Sequence, residues 1–179
     1  MMPLLPGVAD LAPATGQPGS ARFRCPQLWV IPCGASKLEQ PAPADQLYTG
    51  AMFRYTLEHV RRAMPAGDLL LILSAKHGLV ATGQVLAPYD LKMGDPASAG
   101  RHMLAGQLLE HLWWSDVTLN AALPQRYLEA LTAAVELVQP HTETRLSVVD
   151  LYRGCRGVGD QRHRLAQLPP SSAREGVTT

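Results

Sequence analysis

Cysteine is scarce in this chain of 179 residues: there are three, Cys25, Cys33 and Cys155. The number is odd and no Cys-x-x-Cys pair occurs, so a disulfide framework is not expected and a reducing cytoplasm is. Long apolar runs are missing too. No stretch approaches the roughly 18 residues that cross a bilayer, so no membrane association is expected. The opening Met1-Met2-Pro3-Leu4-Leu5-Pro6 lacks a basic region followed by a long apolar run, which argues against a signal peptide. Charge of one sign is not in excess, the formal net charge being +1. A nucleic-acid partner would therefore have to be met by a local basic patch. The P-loop pattern GxxxxGK[ST] is absent, and so is the GxSxG elbow, which argues against a serine hydrolase. No internal repeat is seen.

What is present is enough for one core. Hydrophobic residues make up 46% and charged residues 17%, a balance that excludes global disorder. Residues 1–26 and 169–179 are rich in Pro, Gly, Ala and Ser and read as disordered tails around a domain spanning 27–168. Within it, Leu28-Trp29-Val30-Ile31, Leu69-Leu70-Leu71-Ile72-Leu73, Val117-Thr118-Leu119 and Leu146-Ser147-Val148-Val149 read as four strands. Helical spacing recurs over 52–64, 97–112 and 124–138, with Pro124 at a favoured opening position. A short helix ends near Leu168. Residues 74–96 show no clear period and read as a long loop. Trp113 and Trp114 read as packing at the end of a helix. Strands alternating with helices imply an α/β fold, three layers with a mostly parallel four-stranded sheet. Ligands of such sheets bind beyond the carboxyl ends of the strands.

The loops at those ends carry the densest chemistry. Cys33-Gly34-Ala35-Ser36-Lys37 follows the first strand, where a Gly lets backbone approach a ligand and Lys37 can meet a phosphate. A plain strand-ending turn with a solvated lysine is the alternative. Ser74-Ala75-Lys76-His77-Gly78 follows the most apolar strand and puts Ser, Lys and His within four positions, as acid–base chemistry or oxyanion stabilisation would need. Lys76 would press the pKa of His77 down. Its alternative is a Ser-capped turn. In Ala87-Pro88-Tyr89-Asp90, Tyr89 can stack on a base and Asp90 can act as a base, unless the segment is only a Pro-led turn. Arg153 and Arg156 stand in a Gly-rich segment before the last helix and suit phosphate, whereas Arg164 reads as solvated. Cys33, Cys155 and His77 lack the local pair spacing of zinc sites, so no metal is expected, and no cofactor.

Ile31-Pro32-Cys33-Gly34-Ala35-Ser36-Lys37, then Leu47-Tyr48-Thr49-Gly50 with Phe53, then Ile72-Leu73-Ser74-Ala75-Lys76-His77-Gly78-Leu79-Val80, then Pro88-Tyr89-Asp90, together resemble a bacterial and phage domain family of uncharacterised function. That family is similar to the YaaA peroxide-stress proteins and, more distantly, to the core domain of archaeosine synthase. The resemblance covers about 27–168. It implies a uracil-DNA glycosylase-like fold and a nucleic acid or nucleobase as ligand. It also implies that Cys33, Lys37, Tyr48, Ser74, Lys76, His77, Tyr89 and Asp90 line the pocket. The Lys-Pro-Tyr run of archaeosine synthase is not found after Pro32-Cys33, nor are the water-activating and His-Pro-Ser motifs of uracil-DNA glycosylases.

The expected function is that of a protein acting on a nucleobase in nucleic acid, DNA ahead of RNA, by N-glycosidic cleavage or base modification. The base would leave the stack to reach a pocket at the strand ends. His77, Asp90 and Lys76 are the expected catalytic groups. Cys33, Gly34, Ser36, Lys37, Tyr48, Ser74, Tyr89, Arg153 and Arg156 are the expected binding groups. A DNA-binding stress protein of YaaA type without catalysis is the first alternative, and a nucleotide-binding enzyme the second.

Overall fold

The computed structural model describes residues 27–111 and 116–171. The tail expected over 1–26, most of that expected over 169–179, and the Trp113-Trp114 packing lie outside those residues.

The chain opens with β1 (Leu28–Pro32), whose first four residues are all buried. After a loop come β2 (Ala42–Pro43), one turn of helix α1 (Ala44–Leu47) and helix α2 (Ala51–Ala63). Strand β3 (Leu69–Ser74) turns at once into β4 (Gly78–Ala81), and β5 (Val85–Leu86) follows. Helix α3 (Arg101–Glu110), strand β6 (Val117–Ala121), helix α4 (Gln125–Val138) and strand β7 (Leu146–Asp150) lead to helix α5 (Val158–Ala166).

The main sheet has five strands in the order β4-β3-β1-β6-β7, not the four expected. Strand β1 pairs in parallel with β3 and β6, and β6 in parallel with β7. The fifth strand, β4, runs antiparallel to β3. It comes from the segment read as loop. There the chain reverses through Ala75-Lys76-His77 and pairs Ile72 with Val80. The same segment supplies β5, which pairs with β2 in a separate two-stranded ribbon.

Strand alternation sends neighbouring residues to opposite faces. Leu28, Val30, Leu71 and Leu73 go to one face and pack with Leu104 and Leu108 of α3 and Leu131 and Val135 of α4. Trp29, Ile31, Leu70 and Ile72 go to the other and pack with Phe53, Leu57 and Val60 of α2 and Leu165 of α5. Trp29 brings a polar atom into this core, and its indole N–H donates to the Asp68 carboxylate at 2.8 Å. That bond satisfies a buried donor.

Helix α3 starts four residues later than the spacing predicts. Residues 92–99 are held in turns instead. The Lys92 N–H donates to Asp95 Oδ2 at 2.8 Å, the Ser98 hydroxyl donates to the Asp95 carbonyl at 2.7 Å, and the Ala99 N–H donates to the Ala75 carbonyl at 2.7 Å. Local side-chain bonds of this kind outcompete the helix. Among the described residues, no helix is long and apolar enough to cross a membrane.

Candidate functional site at the carboxyl ends of the strands

Strand β1 is the middle of the sheet, so its carboxyl end opens at the centre of the domain. There the Cys33 N–H still donates to the Leu73 carbonyl at 3.0 Å, as an extension of the β1–β3 pairing. Gly34 follows because the chain runs tightly past Tyr48: a Cβ at Gly34 would lie 3.2 Å from the Tyr48 Cβ. The next residues are pinned against 47–49 by backbone bonds from Leu38 to Leu47 and from Thr49 to Ser36. This strap fixes both Cys33 and Lys37.

The strap divides the expected site residues between two neighbourhoods. The first is a pocket of about 350 Å³ beside Cys33. Met52 and Phe53 of α2, Tyr127 of α4 and Tyr152 give it an apolar and aromatic wall, and Cys33, Thr56 and Gln161 are among its polar groups. Of the expected residues, Cys33, Gly34 and Ser36 line it. The Cys33 Sγ lies 3.2 Å from the Tyr127 hydroxyl. The Thr56 hydroxyl donates to the Met52 carbonyl at 2.8 Å and lies 3.5 Å from the Tyr152 hydroxyl. The opening turns of α2, α4 and α5 all contribute to the lining, and none of these helices has a side-chain cap. Uncapped first turns leave backbone N–H groups and the positive end of the helix dipole facing outward.

The second neighbourhood surrounds Tyr89. Its hydroxyl lies 2.8 Å from Ser74 Oγ and 3.0 Å from the Tyr48 hydroxyl. Ser74 is fully buried and also accepts the backbone N–H groups of Lys76, at 3.2 Å, and His77, at 3.0 Å. This is what closes the β3–β4 turn. Lys37 Nζ stands 4.4 Å from the centre of the Tyr89 ring and Lys76 Nζ 5.9 Å from it. The His77 ring meets Tyr89 edge-on at 5.4 Å. Its Nε2 is buried with no hydrogen-bond partner among the described residues. Burial, with Lys76 adding to it, lowers the His77 pKa and keeps the imidazole neutral near neutral pH.

Two sets of expected residues stand apart from both neighbourhoods. Asp90 is exposed and makes no hydrogen bond within the described residues. Arg153 and Arg156 are also exposed, on the turn that joins the pocket residues Tyr152 and Gln161. The Arg156 N–H donates to Asp160 Oδ2 at 2.8 Å, and the Arg153 carbonyl accepts from Arg164 at 3.3 Å. Tyr127, Tyr152 and Gln161 were not among the expected site residues. Tyr127 hides in the apolar stripe of its helix, and only its place just after the β6 strand end signals a site.

Burial pushes the hydroxyl pKa of Tyr48, Tyr89, Tyr127 and Tyr152 up, and at Tyr89 and Tyr127 the neighbouring Cys33 adds to the shift. The chain has five tyrosines. These four are proton donors, not bases, at physiological pH. Their folded pKa lies above the unfolded value of about 10. The unfolded chain therefore ionises first, and the stability they contribute is complete below pH about 10 and lost as pH rises through the folded values. In an alkaline titration followed by tyrosinate absorbance, four tyrosines are expected to ionise together with unfolding. Ionisation of all of them before any loss of far-ultraviolet circular dichroism would refute this.

Residues 28–153 match DUF6884, a family of unknown function. No curated protein and no solved structure matches the chain.

Proposed function

We propose that this chain, which belongs to the DUF6884 family, takes a nucleobase of DNA into the Cys33 pocket and processes it there. The observation that carries this reading is the pocket itself. Its volume of about 350 Å³ falls within the range of small-ligand sites, and its wall of Met52, Phe53, Tyr127 and Tyr152 offers aromatic surface to a flat ring. The few polar groups, chiefly Gln161 and the Cys33–Tyr127 pair, can bond the edge of a base. Tyr127 stays protonated and serves as a donor to a carbonyl oxygen or a leaving nitrogen. Arg153 and Arg156, between two lining residues, supply charge for strand phosphates. Base flipping brings the target out of the stack and into such a pocket.

The likeness of the motifs to YaaA proteins and to archaeosine synthase supports the same ligand class. A uracil-DNA glycosylase-like fold is in keeping with the mostly parallel sheet and with a site at its strand ends. His77, Lys76 and Asp90 fall outside the pocket lining, so the geometry favours Cys33 and Tyr127 as the groups nearest the base.

The test is to incubate the protein with duplexes carrying uracil, hydroxymethyluracil or deazaguanine and to look for free base or altered nucleoside by mass spectrometry. Release or modification from at least one duplex is expected. No change in any of them, together with no binding, would overturn the reading. The three uncapped helix openings favour a second reading, a free nucleotide as ligand. In that case a nucleotide raises the melting temperature and DNA does not.

A further inference from the structure

We propose that Lys37, Lys76 and Tyr89 form a phosphate-binding subsite separate from the Cys33 pocket. None of the three lines that pocket. The first observation is unbalanced charge. Both ammonium groups lie within 6 Å of one ring centre, at 4.4 and 5.9 Å, and neither has a carboxylate at salt-bridge distance within the described residues. Lys37 is half-buried. Its Nζ uses one donor, on the Ala35 carbonyl at 3.1 Å, and keeps two. The ring holds both heads by cation–π attraction without consuming their N–H groups.

The second observation is a proton count. A hydroxyl has one proton and two acceptor positions. Ser74 Oγ already accepts from Lys76 and His77, so its proton goes out toward the tyrosine hydroxyls, Tyr89 being 2.8 Å away. Tyr48 is fully buried and its hydroxyl lies 3.0 Å from that of Tyr89, with either able to donate. Tyr89 is part-exposed, so its hydroxyl can turn its proton to an anion arriving from solvent.

Two lysines and a hydroxyl thus offer donors with no carboxylate at salt-bridge distance among the described residues. Asp90, the nearest carboxylate in sequence, bonds none of them. Such a cluster takes an anion. Lysine ammonium groups bind phosphate as point charges, and two of them on separate elements beside one hydroxyl suit a multiply charged anion of that kind. Under the functional reading above, on which this clause rests, the phosphate is that of the strand whose base enters the pocket. Free phosphate is the other source.

The experiment uses the full chain in two arms. In the first, fluorescence anisotropy follows a single-stranded oligonucleotide over a salt series. Lys37→Met and Lys76→Met are each expected to weaken binding and to reduce the slope of log K against log salt by about 0.7. Tyr89→Phe weakens binding with the slope unchanged. In the second arm, calorimetry with pyrophosphate is expected to show binding to the wild type and loss of it in the double lysine variant. If pyrophosphate binds in this way and oligonucleotides do not, the subsite stands and the DNA reading fails. If the lysine variants behave as wild type in both arms, or neither probe binds the wild type, the subsite is overturned, whatever happens to base release. Lys76 is exposed, so Lys76→Met decides the matter should Lys37→Met fold poorly.

Discussion

Ala35→Trp is expected to abolish the proposed turnover of a base, by about 100-fold or more, with the melting temperature almost unchanged. Ala35 is exposed and lines the pocket, so an indole there projects into the space a base would occupy and not into the core. A misplacement of about 1 Å at a reacting centre already costs on the order of 100-fold, and a filled pocket leaves no productive position at all. Exposed substitutions away from the core change stability by about 0.5 kcal/mol or less. Loss of turnover with retained stability therefore locates the chemistry. The salt-dependent part of the proposed DNA binding, assigned by that proposal to Arg153, Arg156 and the lysines, should persist in this variant.

Gly78→Ala is expected to produce the largest loss of stability from a single added methyl group. Gly78 has a φ of +71°, a region in which a side chain strains the backbone by roughly 1–2 kcal/mol. A Cβ at Gly78 would also overlap the carboxamide of Gln107. That carboxamide cannot swing away freely. It accepts the Leu79 N–H at 2.8 Å and donates to the His77 carbonyl at 2.8 Å, tying the β3–β4 turn to α3. Displacing it removes two partly buried hydrogen bonds worth about 1 kcal/mol each. The sum is about 3 kcal/mol, which corresponds to roughly 6–12 °C in melting temperature for a domain of this size. Calorimetric melting checks it. A shift below about 2 °C would mean that the turn adapts without losing those bonds.

The long elements were legible because their burial is written as a period. Leu69 to Leu73 is a continuous apolar run because most of that strand is buried from both sides, and α2 and α4 carry apolar stripes at helical spacing. Strand β4 was not legible. Its four residues begin at a glycine and are specified by pairing with β3 and by Gln107, contacts made across the fold and not along the chain. The two-residue strands β2 and β5 are too short to show any alternation.

The same division runs through the site. The strand ends pointed to Cys33 and Ser74, and the structure brings Lys37, Tyr48, Ser74, Lys76, His77 and Tyr89 together. Tyr127, Tyr152 and Gln161 became visible only once three helices converged on the Cys33 pocket. Tyrosines in an amphipathic stripe look alike in sequence whether they fill a core or face a cavity.

The central claim is that the Cys33 pocket is where a nucleobase is processed. The most direct measurement is mass spectrometry of the base released or altered from one modified duplex, with wild type and Ala35→Trp assayed side by side. The pocket reading predicts product from the wild type and none from the variant at equal folded concentration. Equal product from both would contradict it.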